Sequence, residues 1–382
     1  EIIEQIDLRE LISTYRVEGK PGYHPKMLLK VLVYGYMDNI YSSRKIEKAL
    51  KENINFMWIS GRAQVDHNTI ARFRSARLAG IFKDIFRQVV LLLAQQGLVS
   101  LKRVYTDGTK IESVAGRYTF VWGNSIKTNR EKLSRQLEEM WEYAQSIADE
   151  EDKDPEPPEF KSIDPEKVKQ TAQKISKISK GKASQVDPKT KAKARYIEKN
   201  FPQALQKYQQ QEELLKGRNS YSKTDPEATF MRMKDDHMQN GQLKPGYNAQ
   251  ISTENQIVVN YTIHQDANDL HTLSGHLLEH EALYGQLPQE LVADAGYGSE
   301  ENYQLLEDKG VEPYVKYPSF NKEEKLVKAR TARKPFERDQ LYYNALEDYY
   351  VCPMGQHMEY QYTTRSTTKS GLVQHTRLYK AK

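Results

Sequence analysis

The sequence predicts an α/β protein, with a mixed β-sheet that follows a helical N-terminal domain and is interrupted by a helical insertion after its first strand. Apolar side chains recur at helical spacing through residues 1–100. From Leu101 the pattern changes to short runs with strand character, several of them rich in Tyr and Val. Residues 123–220 return to helical spacings and long charged stretches. With that insertion set aside, we predict the order strand, strand, strand, helix, strand, helix, strand.

Residues 1–100 carry the start and stop signals of several helices. Pro25 suits a first helical turn, and a helix is predicted over 43–50 with its basic residues outside. Asp66 can cap the helix that follows it. A last helix over 81–96 is predicted to end at Gly97.

Five runs are predicted to form the sheet, with two helices between the later ones. The predicted strands are 101–106, 246–253, 256–264, 291–293 and 311–316, and the predicted helices are 270–283 and 300–309. Asp107-Gly108 is expected to end the first strand, and Asp294 follows the fourth.

The insertion is expected to be partly helical and partly flexible. Apolar residues alternate spacings of four and three from Leu133 to Ile147, a short coiled-coil-like seam. We interpret 149–159 as a solvated loop, 161–193 as flexible because it is Lys-rich and apolar-poor, and 195–215 as helical. The predicted domains are 1–100, helical; 101–122 with 221–320, the core that contains the sheet; 123–220, the helical and flexible insertion; and 321–382, a C-terminal segment.

Composition sets broad limits on the class of protein. The 382 residues suggest two or three domains, and no run approaches the length of a membrane span. One cysteine, Cys352, makes no internal disulfide and fits a reducing compartment. A net charge of +5 is by itself a weak sign of nucleic-acid binding. The sequence begins without Met or a signal peptide, so we expect it to start inside a longer reading frame.

Two aspartates carry the predicted chemistry. Asp107 and Asp294 end the first and fourth strands, which are neighbours at the centre of a ribonuclease H-like sheet. Ligands of open sheets gather at the carboxyl ends of such strands. Two carboxylates there suit a hard cation such as Mg²⁺, and small residues after each aspartate leave space for a phosphate backbone. The alternative is that Asp107 is only a turn residue, because an aspartate before glycine at a strand end often has that role.

Two other groups of possible metal ligands receive less weight. His276 and His280 lie at i and i+4 on one predicted helix, a spacing that zinc can use, although polar helix residues of this kind are usually not ligands. Asp225, Asp235, Asp236 and His237 are better explained by a turn and by neighbours that point apart.

Five motifs in order resemble the DDE transposases of bacterial insertion sequences. They are Gly22–Pro25 and Asp66–Arg74, similar to landmarks of an InsH-type N-terminal domain; Tyr105–Ser113, similar to the first catalytic motif; Ser222–Lys234 with Gly246–Gln250, similar to the second strand and the segment before it; and Val292–Tyr297, similar to the second catalytic motif.

The resemblance implies a catalytic site with Mg²⁺ or Mn²⁺. Asp107 and Asp294 would hold the metal ions for cleavage at insertion-sequence ends and strand transfer into target DNA. A third carboxylate, usually a Glu on a later helix, is not assigned, since none of its candidates fits the family pattern. These candidates are Glu312, Glu323, Glu324, Glu337 and Glu347. We expect the third ligand to lie beyond Lys382, so that the chain as given is predicted to be inactive.

The resemblance also implies partners and a location. Double-stranded DNA, as terminal inverted repeats and as target, would bind the N-terminal domain, and a homodimer would hold two ends in the bacterial cytoplasm. The predicted DNA-binding residues are Arg44, Lys45, His67, Asn68, Arg72, Arg74 and Arg77. A solvated helix face explains the same basic residues equally well without the resemblance. The alternative functions are a non-catalytic DNA-binding remnant or repressor, and a related nuclease.

Overall fold

A computed structural model describes most of the chain. The described residues are 2–15, 22–116, 118–148, 158–160, 165–181, 186–233, 241–320, 324–325, 336, 341–368 and 371–381. They form two compact units. The first comprises Glu1–Asp107, Ile251–Tyr261 and Leu273–Lys382, and the second comprises Gly108–Gln250 and Thr262–Thr272.

Helices make up the N-terminal part, confirming the predicted helical region. They are α1 (Ile2–Gln5), α2 (Arg9–Ser13), α3 (Pro25–Met37), α4 (Ser43–Glu52), α5 (Ile54–Ser60), α6 (His67–Arg72) and α7 (Phe82–Gln95). Helix α3 begins at Pro25 as expected, and the Asp66 carboxylate caps α6 by accepting hydrogen bonds from the backbone N–H groups of Asn68 and Thr69. A π-helical turn, Phe73–Arg77, follows α6. Fully or almost fully buried side chains such as Leu11, Ile46, Phe56 and Ile70 form the core.

Five further helices follow in the described residues. They are α8 (Gly123–Ile147), α9 (Pro165–Gly181), α10 (Pro188–Leu215), α11 (Leu273–Tyr284) and α12 (Glu300–Asp308).

The described strands form three sheets. The strands are β1 (Arg103–Glu112), β2 (Phe120–Trp122), β3 (Ser220–Ser222), β4 (Thr229–Arg232), β5 (Leu243–Glu254), β6 (Ile257–His264), β7 (Glu290–Ala293), β8 (Glu312–Val315), β9 (Tyr342–Asn344), β10 (Tyr349–Val351), β11 (His357–Thr367) and β12 (Val373–Ala381). The main sheet has the order β4-β5-β1-β7-β8, with β6 beside β5, and β2 pairs with β3. Parallel β1–β7 and β7–β8 pairs next to the antiparallel β4–β5 pair make it the mixed sheet that was predicted.

Strand β1 is longer than predicted. Asp107-Gly108 was expected to end it, but the strand continues to Glu112. The reason is its neighbour β5, whose 12 residues offer backbone partners well past Gly108. Beyond the strand, the Ser113 N–H still donates to the Pro245 carbonyl at 2.9 Å, and Lys244 pairs with Glu112 at 2.8 Å. Asp107 therefore lies within a strand rather than at its end.

The insertion is a helical assembly with a core of its own. The expectation that 161–193 is flexible was wrong for its described residues, which form α9 and the start of α10. Val168, Ala172 and Ile175 are fully buried, so a narrow apolar stripe suffices although Lys surrounds it. The apolar seam of α8 packs in the same core, so its side chains are already buried within one chain. It therefore gives no support to pairing of two copies. Of the predicted loop at 149–159, residues 149–157 lie outside the described residues, and residues 158 and 159 are neither helix nor strand.

We expect Leu137→Ala to destabilise the insertion by about 3 kcal/mol, because Leu137 is fully buried among α8, α9 and α10. The rate of hydrogen exchange of the α8 backbone amides, measured in the whole chain, should rise, and the faster exchange should be confined to the insertion. The neighbouring exposed residue gives a matched control, Glu138→Ala, which should leave exchange unchanged. Equal exchange in the Leu137→Ala variant and the unmodified chain would show that the three helices do not share a core.

The C-terminal residues form a sheet that the sequence did not reveal. No strand was predicted for the segment 321–382, and residues 341–368 and 371–381 contain the antiparallel sheet β12-β11-β10-β9. All but one residue of β11 is exposed. A strand exposed on both faces has no alternation of polar and apolar residues, which is the signal that sequence analysis uses.

Among the described residues, no helix combines the length and apolarity needed to cross a membrane.

Candidate active site

Two aspartates lie side by side on the central strands of the main sheet. Strands β1 and β7 are parallel, and their register pairs Thr106 with Ala293. Asp107 is the next residue of β1, and Asp294 directly follows the last residue of β7. Neighbouring strands are about 4.8 Å apart, so both aspartates lie at the same level of the sheet. Both side chains are exposed. The predicted adjacency of the two strands is confirmed, while the catalytic role of the aspartates stays a prediction.

The backbone after Asp294 turns at once and is anchored. The Asp294 Oδ1 accepts a hydrogen bond from the Gly296 N–H at 2.8 Å, which caps a short 3₁₀ turn, Ala295–Tyr297. Tyr297 is fully buried at the end of this turn. A side chain at Gly298 would meet the Lys316 carbonyl at 2.5 Å, so glycine allows the close approach of this turn to β8. Asp294 is thus held on a short, packed turn.

The donor set of this pair fits a hard divalent cation. Carboxylate oxygens are the ligands that Mg²⁺ prefers, and it commonly takes one or two of them together with water and phosphate. In the described part of the chain, no group of three His, Cys, Asp or Glu side chains is placed to hold a metal ion. Asp107 and Asp294 can therefore supply two ligands of such a site, and the third carboxylate is still to be assigned.

The three described candidates for the third carboxylate, Glu312, Glu324 and Glu347, do not complete the pair. Glu312 is paired in register with Glu290, which lies three residues before Ala293, about 10 Å along the strand. It therefore lies toward the opposite end of the strands from the two aspartates. Glu324 and Glu347 are exposed, and the latter lies in the turn between β9 and β10. Glu323 and Glu337 lie outside the described residues.

The two histidines of α11 are not a zinc site. His276 and His280 are 1% and 2% exposed, so they belong to the core rather than to a polar helix surface. His276 Nε2 lies 2.7 Å from the Ser252 Oγ. Burial lowers the pKa of His280 to about 4, which keeps its imidazole neutral.

Asp225 organises a polar cluster in the second unit. Its carboxylate accepts hydrogen bonds from the Ser113 hydroxyl at 2.5 Å and from the Tyr247 hydroxyl at 2.9 Å. Burial opposes its ionisation, but these hydrogen bonds outweigh burial and lower its pKa. Burial and the nearby carboxylate raise the pKa of Tyr247 to about 12. The turn role favoured from sequence agrees with this geometry; Asp235, Asp236 and His237 lie outside the described residues.

The predicted DNA-binding residues fall into two groups. Arg44 and Lys45 on α4, and Asn68 and Arg72 on α6, have exposed side chains. These four can reach an external partner.

The other three predicted DNA-binding residues are engaged within the protein. His67 Nδ1 lies 2.7 Å from a Glu47 carboxylate oxygen. Arg74 donates to the Tyr41 carbonyl at 2.8 Å. Arg77 donates to the Thr14 carbonyl and lies over the Tyr15 ring, 4.2 Å from its centre. Their contacts fix the helices of the N-terminal core.

Sequence analysis missed a row of buried polar residues on β5. Its members are Asn248, Gln250, Ser252 and Glu254, none more than 7% exposed. Polar residues at every second position were present in the sequence, but such alternation normally indicates a solvent-facing side. The buried polar row instead faces inward, where the Glu254 carboxylate accepts hydrogen bonds from the Ser100 and Leu101 N–H groups just before β1.

Comparison with known protein families shows which family the chain belongs to. Residues 1–76 match the model described as Transposase domain (DUF772), and residues 218–377 match that described as Transposase DDE domain. The chain belongs to the DDE transposases of insertion sequences. The second match contains Asp294 of this transposase and extends through most of the C-terminal sheet, and its ribonuclease H-like fold agrees with the sheet order. No significant match was found among curated proteins or among solved structures.

Proposed function

We propose that this transposase catalyses Mg²⁺- or Mn²⁺-dependent cleavage at the ends of its insertion sequence and strand transfer into target DNA. The observation that carries the proposal is the register of β1 and β7, because it places Asp107 and Asp294 at the same level of adjacent parallel strands. Carboxylates in this arrangement are suited to metal-dependent phosphoryl transfer. The transposase family of the chain supplies the reaction class.

The two aspartates would provide oxygen ligands, and their neighbours would admit the DNA backbone. When bound, a divalent cation supplies polarisation of the phosphodiester and activation of the attacking water or 3′-hydroxyl. Asp294 is oriented by its hydrogen bond from the Gly296 N–H. Ala295 adds little bulk beside the Asp294 carboxylate, which leaves room for a phosphate group, whereas Gly108 is buried on the face opposite to Asp107.

DNA binding would use the exposed basic residues of α4 and α6. Arg44, Lys45 and Arg72 can neutralise phosphates, whereas the exposed amide of Asn68 can contact a base edge. Terminal inverted repeats and target DNA are the proposed partners, and a homodimer in the bacterial cytoplasm is the proposed form that holds two ends.

A non-catalytic DNA-binding protein is the second candidate. Such a protein would recognise transposon ends, or repress transposition, and would need only the exposed DNA-binding residues of α4 and α6. Both candidates require DNA binding, so metal-dependent cleavage distinguishes them.

Incubation with a plasmid that carries both ends of the element tests the proposal. With Mg²⁺ or Mn²⁺, we expect a chain that supplies all three carboxylates to give nicks at the 3′ ends of the element and joined products, mapped by primer extension; a chelator should prevent both. Specific binding of the ends by that chain without nicks under either ion would contradict the catalytic proposal and support the second candidate.

A further inference from the structure

The two residues that flank Asp107 face the interior of the protein. Side chains alternate along β1, so Asp107 is exposed while Thr106 and Gly108 are buried on the opposite face. Any shift of the buried face would move the Asp107 carboxylate, because the three residues are consecutive on one strand.

Thr106 begins a chain of two short hydrogen bonds in the core. Its Oγ1 lies 2.8 Å from the Ser252 Oγ, which lies 2.7 Å from the His276 Nε2. All three residues are at most 4% exposed. His276 is itself fixed, since the Asn260 side-chain amide donates to its carbonyl at 2.9 Å. We call Thr106, Ser252 and His276 the Thr106 anchor.

Burying these polar groups has a cost that an apolar core would avoid. An unpaired buried hydroxyl or ring nitrogen is destabilising, so each member of the Thr106 anchor depends on its neighbours. Hydrogen bonds are directional, whereas apolar contacts allow sliding. The Thr106 anchor therefore restrains the position of β1 more narrowly than a valine at 106 would.

Gly108, in the second unit, is closely packed against neighbouring side chains. A Cβ there would lie 2.6 Å from the Asp269 Oδ1 and 2.9 Å from the Gln250 Nε2. The Asp269 carboxylate is held in place by hydrogen bonds from the Asn248 and Gln250 amides, at 2.7 and 3.0 Å. Glycine at 108 thus lets β1 lie directly on this fixed carboxylate.

We propose that the Thr106 anchor positions the Asp107 carboxylate for its divalent cation. This rests on the proposed function, which makes Asp107 a metal ligand. Thr106, Ser252 and His276 touch neither cation nor DNA, so they are positioning residues that act through the strand. Groups that orient metal ligands commonly change metal affinity about 10- to 100-fold when they are removed.

Mn²⁺ binding by the whole chain, followed by electron paramagnetic resonance of the free ion, tests the proposal without requiring cleavage. Thr106→Val keeps the shape of the side chain but removes its hydroxyl, and we expect Mn²⁺ affinity to fall about 10- to 100-fold. Thr106→Ser keeps the hydroxyl and should recover most of the affinity. Circular dichroism and thermal unfolding verify that each variant is folded; if Thr106→Val does not fold, Ser252→Ala replaces it and should weaken Mn²⁺ binding similarly.

The reference variant Asp107→Asn separates two failures. If the chain binds Mn²⁺, Asp107→Asn abolishes that binding and Thr106→Val binds as tightly as the unmodified chain, the positioning role is overturned while the metal site stands. Equal weakening in Thr106→Val and Thr106→Ser would also overturn it, because the hydroxyl would not matter. Mn²⁺ binding that is absent, or insensitive to Asp107→Asn, would remove the proposed metal site and the positioning role together.

Discussion

In a chain that supplies all three carboxylates, replacement of Asp107 or Asp294 by asparagine is expected to reduce metal-dependent cleavage of insertion-sequence ends by about 1,000-fold or more. Asparagine has nearly the same shape as aspartate but no negative charge, so it is a poor ligand for Mg²⁺. Both positions are exposed, and the substitutions should leave folding intact. The rate of 3′-end nicking, measured with Mg²⁺ and with Mn²⁺ on the same DNA, gives the effect.

The exposed Asp308 at the end of α12 offers a matched control. Asp308→Asn removes the same charge from the same unit, outside the pair, and should keep the cleavage rate. Binding of the ends should also persist in Asp107→Asn and Asp294→Asn, because recognition is assigned to the N-terminal helices. Unchanged nicking in either aspartate variant would show that this carboxylate is not a metal ligand.

The second large effect is expected in DNA binding. Simultaneous replacement of Arg44, Lys45 and Arg72 by alanine should weaken binding of the ends about 10- to 100-fold at low salt. All three side chains are exposed, so their loss leaves the helical core in place. The slope of log affinity against log salt should become shallower by about 3, since each lost phosphate contact releases roughly one counterion fewer.

Three exposed lysines of the insertion give a control of equal charge. The variant Lys132→Ala, Lys199→Ala, Lys207→Ala lowers the net charge by the same amount at sites on α8 and α10. It should bind the ends nearly as tightly as the unmodified chain. An equal loss in both triple variants would mean that overall charge, not the N-terminal helices, governs binding.

Arg74 and Arg77 illustrate a limit of reading basic residues from sequence. Arg72, Arg74 and Arg77 form one basic group in the sequence, and helical spacing alone could not say which of them faces outward. The π-helical turn after α6 changes the spacing of side chains. Arg74 donates to the Tyr41 carbonyl just before α4, and Arg77 donates to the Thr14 carbonyl just after α2. Arginine can donate hydrogen bonds to a phosphate or to a backbone carbonyl, so the residue type does not reveal the partner.

The α9 stripe and the C-terminal sheet show where local pattern was insufficient. Composition suggested flexibility for 161–193, yet Val168, Ala172 and Ile175 become fully buried once α8 and α10 pack beside them. Strand β11 pairs along its length with β12 although nearly all of its side chains are exposed. Backbone pairing leaves no trace in side-chain polarity, so such a strand is not visible in the sequence.

The sequence by itself determined the family motifs, the helical N-terminal part, the adjacency of the strands that carry Asp107 and Asp294, and the helical nature of most of the insertion. The helices follow from short-range periodicity and capping residues, which are local, and the adjacency of the two strands follows from the fold that the order of elements indicates. The tertiary structure decided that β1 continues past Asp107, that His276 is a buried partner of Ser252, and that a buried polar row lies on β5, the neighbour of β1. Those features depend on which side chains meet across strands distant in sequence, and a polar residue gives no local sign of whether water or another side chain will satisfy it.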